Sequence, residues 1–125
     1  MMRCLIALLL AAGLTGCATG GGMAPESREL GYAASPESTL RQGINLLADQ
    51  GYVIRHADAE LGRAEAVLSR WPGYRVQLSV TAEGEGARAS LTATRGGRPL
   101  PPHLLDPLLA ALESRLGLGP WAETP

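Results

Sequence analysis

The stretch YRVQLSVTAEGEGARASLTAT, Tyr74 to Thr94, decides the fold. Tyr74, Val76, Leu78, Val80 and Ala82 alternate with Arg75, Gln77, Ser79 and Thr81. An apolar residue at every second position over nine residues marks an antiparallel strand with one buried and one wet face. Glu83-Gly84-Glu85-Gly86 then reads as a hairpin turn. Beyond it Ala87, Ala89, Leu91 and Ala93 alternate with Arg88, Ser90, Thr92 and Thr94, giving a second strand in the same phase. Gly96-Gly97 closes that strand, and Pro99, Pro101 and Pro102 forbid its continuation.

Upstream of the turn Trp71-Pro72-Gly73, two shorter strands are predicted. In one, Tyr52, Ile54 and His56 alternate with Val53 and Arg55; in the other, Ala64, Ala66 and Leu68 alternate with Arg63, Glu65 and Ser69. Helices flank the strands. Ser35-Pro36-Glu37 combines an N-cap, a proline at the first helical position and an acid in the first turn. Leu40, Ile44, Leu47 and Ala48 form its apolar stripe and Gly51 its stop. Gly43 lies mid-helix, which signals either a close neighbour or a weak helix. At the other end Asp106-Pro107 reads as N-cap and first position of a helix that carries Leu105, Leu108, Leu109, Leu112 and Leu116 and stops at Gly117. The expected fold is α+β: a two-layer sandwich in the order helix, four antiparallel strands, helix, with both helices on one sheet face. Its inward strand positions are largely Ala, so modest stability is expected, with the core centred on Leu78, Leu91, Leu112 and Leu116.

Composition excludes several functions. The chain of 125 residues has 11 basic residues, all Arg, against 12 acidic ones. This balance speaks against a nucleic-acid binder, which would carry a basic excess. Both cysteines, Cys4 and Cys17, fall in the first 17 residues, so the predicted domain holds no thiol for a disulfide, a Cys-based zinc site or a nucleophile.

The N-terminus reads as a targeting signal. Met1-Met2-Arg3 is a short positive region, and Cys4 to Leu14, CLIALLLAAGL, is an apolar run of 11. A spanning helix needs about 20 such residues, whereas a signal-peptide core needs about 7–15. The run ends in Leu14-Thr15-Gly16-Cys17, which resembles the lipobox of bacterial lipoproteins at all four positions. That resemblance implies a diacylglycerol on the Cys17 thiol and cleavage between Gly16 and Cys17. Several acyl chains on one residue would make a stable anchor where a single chain holds only marginally. By the sorting rule of Gram-negative lipoproteins, Ala18 permits export to the outer membrane, facing the periplasm. Residues 1–16 are thus expected to be a signal peptide, 17–34 a lipidated Cys with a Gly-rich tether, 35–118 the domain and 119–125 a tail whose Trp121 covers a core edge.

The order of elements on a lipid anchor is similar to two groups of envelope lipoproteins. SPESTLRQGINLLADQGYVIRHAD resembles the opening helix and first strand of the helix-grip domains in BamC-type accessory lipoproteins of outer-membrane protein assembly. LptE-type lipoproteins of lipopolysaccharide transport likewise set two helices on four strands. BamC-type proteins carry two such domains and this chain one. The resemblance implies a non-enzymatic accessory or interaction domain, with lipid or lipopolysaccharide handling as the alternative.

Chemistry-bearing motifs are sparse. HExxH, GxSxG, P-loop and GxGxxG patterns are absent from the sequence, so neither a metal nor a cofactor is expected. His56 and His103 stand alone, and Glu83, Glu85, Asp58 and Glu60 read as solubilising residues in turns. The outward sheet face is the candidate partner-binding surface. It is expected to carry Arg55, Arg63, Arg75 and Arg88 among hydroxyl and amide side chains, against phosphate groups or an acidic envelope partner. The alternative is a solvated face with its arginines paired to residues such as Glu65.

Overall fold

The computed structural model describes residues 25–118. The signal peptide, Cys17, Ala18 and Trp121 with its tail lie outside the described residues. Elements follow in the order β1 (Arg28–Tyr32), α1 (Pro36–Asp49), β2 (Val53–Asp58), β3 (Arg63–Leu68), β4 (Tyr74–Glu83), β5 (Gly86–Arg95), β6 (Arg98–Pro99), a 3-10 turn (Pro102–Leu105) and α2 (Asp106–Arg115). Every strand pairing is antiparallel, in the spatial order β1-β5-β4-β3-β2, with β6 also on β5. Both helices share one core with the inward side chains of the sheet, so the molecule is an α+β two-layer sandwich.

The central hairpin lies in the expected register, with Leu78 opposite Leu91 and Val76 opposite Ala93. Val76, Leu78 and Val80 of β4 are buried with Ala87, Ala89, Leu91 and Ala93 of β5 and Ala64 and Ala66 of β3. Ser35 caps α1 through its hydroxyl, which accepts from the Ser38 amide at 3.1 Å. Both helices end in paired 6→1 and 5→2 backbone bonds. At α1 these run from Tyr52 to Leu47 and from Gly51 to Ala48, with Gly51 at φ 94°.

Four features differ from the sequence expectation. The sheet has five principal strands and a short sixth, because β1 lies within residues 17–34, read as tether. This edge strand buries only Tyr32, so it shows no apolar period. It is held instead by Arg28, whose Nε sits 2.7 Å from Asp106 Oδ1, and by the Tyr32 hydroxyl, which donates to the Leu109 carbonyl at 2.8 Å. Asp106 is consequently not an N-cap: the 3-10 turn runs directly into α2, and the carboxylate faces Arg28. The buried stripe of α1 is Thr39, Leu40, Gly43, Leu46 and Leu47, with Ile44 half-buried and Ala48 exposed. Leu116 is only partly buried, and Leu105 and Leu109 take the core places beside Leu112.

Gly43 answers the question its position raised. A Cβ there would stand 2.5 Å from Leu78 Cδ2, so α1 rests on the centre of the sheet through a missing side chain. Gly43→Val should lower stability by about 1–3 kcal/mol through overpacking. Leu78→Ala alone should cost about 2–5 kcal/mol. In urea titrations the double substitution should cost clearly less than the sum of the two. Strict additivity would mean that the two residues are not in contact.

Burial pushes the Tyr32 phenol up to about 12, with the Glu113 charge adding to the effect. The unfolded chain ionises near the ordinary value of 10.0 while the fold keeps the proton. Stability from this group is therefore complete below pH 10 and falls as pH rises from 10 to about 12. Tyr52, also pushed up by burial, acts in the same direction. Denaturation midpoints measured across this window should fall, and Tyr32→Phe should flatten the fall. An unchanged slope would show that the Tyr32 phenol does not set it.

Candidate functional site

Among the described residues no helix covers the second face of the sheet, and the strand register arranges its side chains in rows. One row reads Asp58, Arg63, Ser79, Ser90 and Glu29; the next His56, Glu65, Gln77 and Thr92; the third Val53, Val67, Arg75 and Thr94. Arg88 follows opposite Thr81. Of the four arginines expected here, Arg63, Arg75 and Arg88 therefore share the face. Arg55 does not join a row. A register shift between Ile54 and His56 leaves it without a cross-strand partner.

The same shift moves His56. Strict alternation placed it in phase with Ile54, but the extra residue at Arg55 sets it opposite Glu65 on the open face. The sequence trace of the bulge is the three-residue step from Ile54 to Ala57, which stands opposite buried Ala64. His56, Arg63, Glu65, Gln77, Ser79, Ser90 and Thr92 border a shallow depression of about 390 Å³. Imidazole, guanidinium, amide and hydroxyl groups there can donate and accept hydrogen bonds to a polar partner.

Charge on this face is largely matched. Arg75 Nη1 lies 3.2 Å from Glu65 Oε1. Arg88 Nε lies 2.8 Å from Glu83 Oε2, and its Nη1 lies 3.8 Å from Glu29 Oε2. The Arg88 side chain holds the Glu83 carboxyl below the usual range, chiefly by hydrogen bonding, and Glu83 raises Arg88 in return. Arg63 has no ion pair among the described residues. The face is therefore not a concentrated cationic patch.

The remaining candidates fall in turns. Asp58 Oδ1 accepts from the Glu60 and Leu61 amides, both at 3.0 Å, and so shapes the β2–β3 connection. Glu85 is exposed at the β4–β5 hairpin, and His103 lies exposed in the 3-10 turn, far in sequence from His56. Among the described residues, no three His, Cys, Asp or Glu side chains gather as a metal site would require. No described helix is long and apolar enough to cross a membrane. Glu29 was not anticipated, since its strand showed no pattern.

A second concavity, about 720 Å³, opens between the first half of α1 and the β2–β3 connection. Leu40, Ile44, Leu61, Val80 and Ala82 line it, and Glu37, Arg41 and Glu60 contribute charge. Leu61 is 61% exposed at its edge.

No protein-family profile matches the chain, and no curated protein matches it. Among solved structures, TTHA0849 of Thermus thermophilus is similar at 18% identity, over 74% of this chain and 88% of that chain, with a TM-score of 0.44. A likeness at that level carries no argument about function.

Exposed ion pairs contribute little to stability. Arg75→Gln/Arg88→Gln should therefore fold normally, with a melting temperature within a few degrees of the unmodified chain. A collapse of the melt would show that these pairs hold the sheet together, and that the face is structural first.

Proposed function

We propose that the chain is a lipid-anchored protein of the bacterial cell envelope, whose α+β domain is a non-enzymatic interaction module at the membrane. The observation that carries this reading is Leu14-Thr15-Gly16-Cys17, which begins on the last residue of the apolar run Cys4 to Leu14. Cys17 is the lipidation residue and Gly16-Cys17 the cleavage point. With Ala18 following, the outer membrane, facing the periplasm, is the expected location. The domain supports the reading in a general way: an uncovered polar sheet face suits recognition of a partner such as an envelope protein or lipopolysaccharide. Its matched charges do not suit nucleic acid.

The second reading is lipid or lipopolysaccharide handling. It is favoured by the 720 Å³ groove with its Leu40, Ile44, Leu61 and Val80 walls. An acyl chain would lie against these side chains with its headgroup near Arg41.

Cys17→Ser, with residues 1–16 replaced by an ordinary cleavable secretory signal, should move the protein from the membrane to the soluble fraction while the domain stays folded. A variant that still sediments with membranes contradicts the anchor. Lipid that co-purifies with the released variant would favour the handling role.

A further inference from the structure

Of the arginines without an ion pair among the described residues, three gather at one end of the sheet. Arg70 lies in the β3–β4 turn, Arg95 ends β5 and Arg98 begins β6; all three are exposed and have no ion pair among the described residues. The two turns that carry them are packed together. The Gly96 amide donates to the Gly73 carbonyl at 2.7 Å, and Gly96 rests on Pro72. Gly96 and Gly97, at φ 58° and 78°, make the two-residue turn that sets Arg95 directly opposite Arg98. Like charges directly opposite each other destabilise a strand pair. A counter-anion at this tip would remove that penalty.

Beside the arginines stands Trp71, 90% exposed, the most exposed large apolar side chain among the described residues. Tryptophan with arginine is the pairing that settles at a membrane interface, with the ring at headgroup level and the cations on phosphates. Acids gather at the opposite end of the sheet: Glu83 and Glu85 at the β4–β5 hairpin, Glu60 at the β2–β3 connection and Glu37 at the start of α1. Arg41, Arg63 and Arg88 lie among these acids, so that end is mixed in charge, whereas the tip carries arginines alone; the domain is polarised along its strands in that sense.

Chain direction supplies the third observation. β1 runs antiparallel to β5, with Arg28 opposite Leu91 and Tyr32 opposite Ala87. The chain therefore enters β1 from the end of β5 where Arg95 stands, the basic end. Cys17 lies eleven residues before Arg28. Eleven residues span at most about 40 Å extended, and roughly 18 Å as a coil. That coil length brings the tip close to the surface, where electrostatic attraction acts over about 8 Å. Tethering also turns a weak contact into a populated one by raising local concentration.

We propose that the tip formed by Arg70, Trp71, Arg95 and Arg98 docks on anionic lipid headgroups of the membrane to which the chain is anchored. The acidic end and the open face then point away from the bilayer, towards partners. The proposal rests on the Cys17 anchor, and its test separates the two.

Mature lipoprotein carrying Trp121→Phe, so that Trp71 is its one tryptophan, would be reconstituted in vesicles of phosphatidylcholine with and without phosphatidylglycerol. Flotation reads the anchor; Trp71 emission and its quenching by brominated lipid read the docking. With phosphatidylglycerol, Trp71 should shift to the blue and be quenched. Raising the salt, or substituting Arg70→Gln/Arg95→Gln/Arg98→Gln, should return it to water without loss of flotation. Protein that floats with Trp71 water-like in anionic vesicles overturns the docking alone. Equal quenching in phosphatidylcholine, or shielding of Trp71 only when envelope proteins are added, also overturns it. Protein that does not float overturns the anchor and the docking with it.

Discussion

How closely α1 approaches the sheet governs the rest of the domain. At Gly43 the helix presents no side chain, and Leu78 at the centre of β4 fills the space that a Cβ would need. The neighbouring inward positions Ala64, Ala66, Ala87, Ala89 and Ala93 are equally short, so the helix lies low across β2 to β5. Each Ala buries little area, and the apolar contact comes mainly from the helices. Leu40, Leu46 and Leu47 of α1, Leu105 before α2, and Leu109 and Leu112 within α2 reach down to a smooth floor. With both helices committed to one face, the described residues leave the other face of the sheet open.

Electrostatics follow from that division. On the open face Arg75 and Arg88 sit among carboxylates and are paired while Arg63 is not, so the surface offers hydrogen bonding more than net charge. At the turn-rich end beyond β3 and β5 the sheet stops supplying acidic neighbours, and Arg70, Arg95 and Arg98 stand with Trp71. The balance of 11 basic and 12 acidic residues therefore conceals a polar separation along the strands. On a lipid anchor, such a separation would set which end meets the bilayer and which faces outward.

Much of the fold was legible in the sequence because burial on one face writes a period into the chain. The hairpin from Tyr74 to Thr94, the Ser35 cap and the glycine stops of both helices all lie where the pattern placed them. Elements without that signature were illegible. β1 buries one side chain and depends on an ion pair with Asp106, 78 residues away, so local reading saw only a polar tether. The bulge at Arg55 inserts one residue and reverses the facing of everything after it, which is why His56 was assigned to the wrong phase. Arg63, Arg75 and Arg88 share the face as the pattern placed them, and Arg75 pairs with Glu65, the acid the sequence offered; of the two partners of Arg88, Glu83 lies across the hairpin and Glu29 comes from β1, which shows no pattern. The basic tip was hidden for a similar reason. Its residues are local turn residues, and the two turns are joined only in three dimensions, by the Gly96–Gly73 hydrogen bond and the closeness of Gly96 to Pro72.

The reading of the whole protein stands on the chemistry of one residue. Intact-mass and peptide mass spectrometry of the protein purified from its native membrane tests it most directly. The account predicts a mature N-terminus at Cys17 with a diacylglyceryl group on its thiol. An N-terminus at any other residue, or Cys17 with a free thiol in the membrane-bound protein, would contradict it.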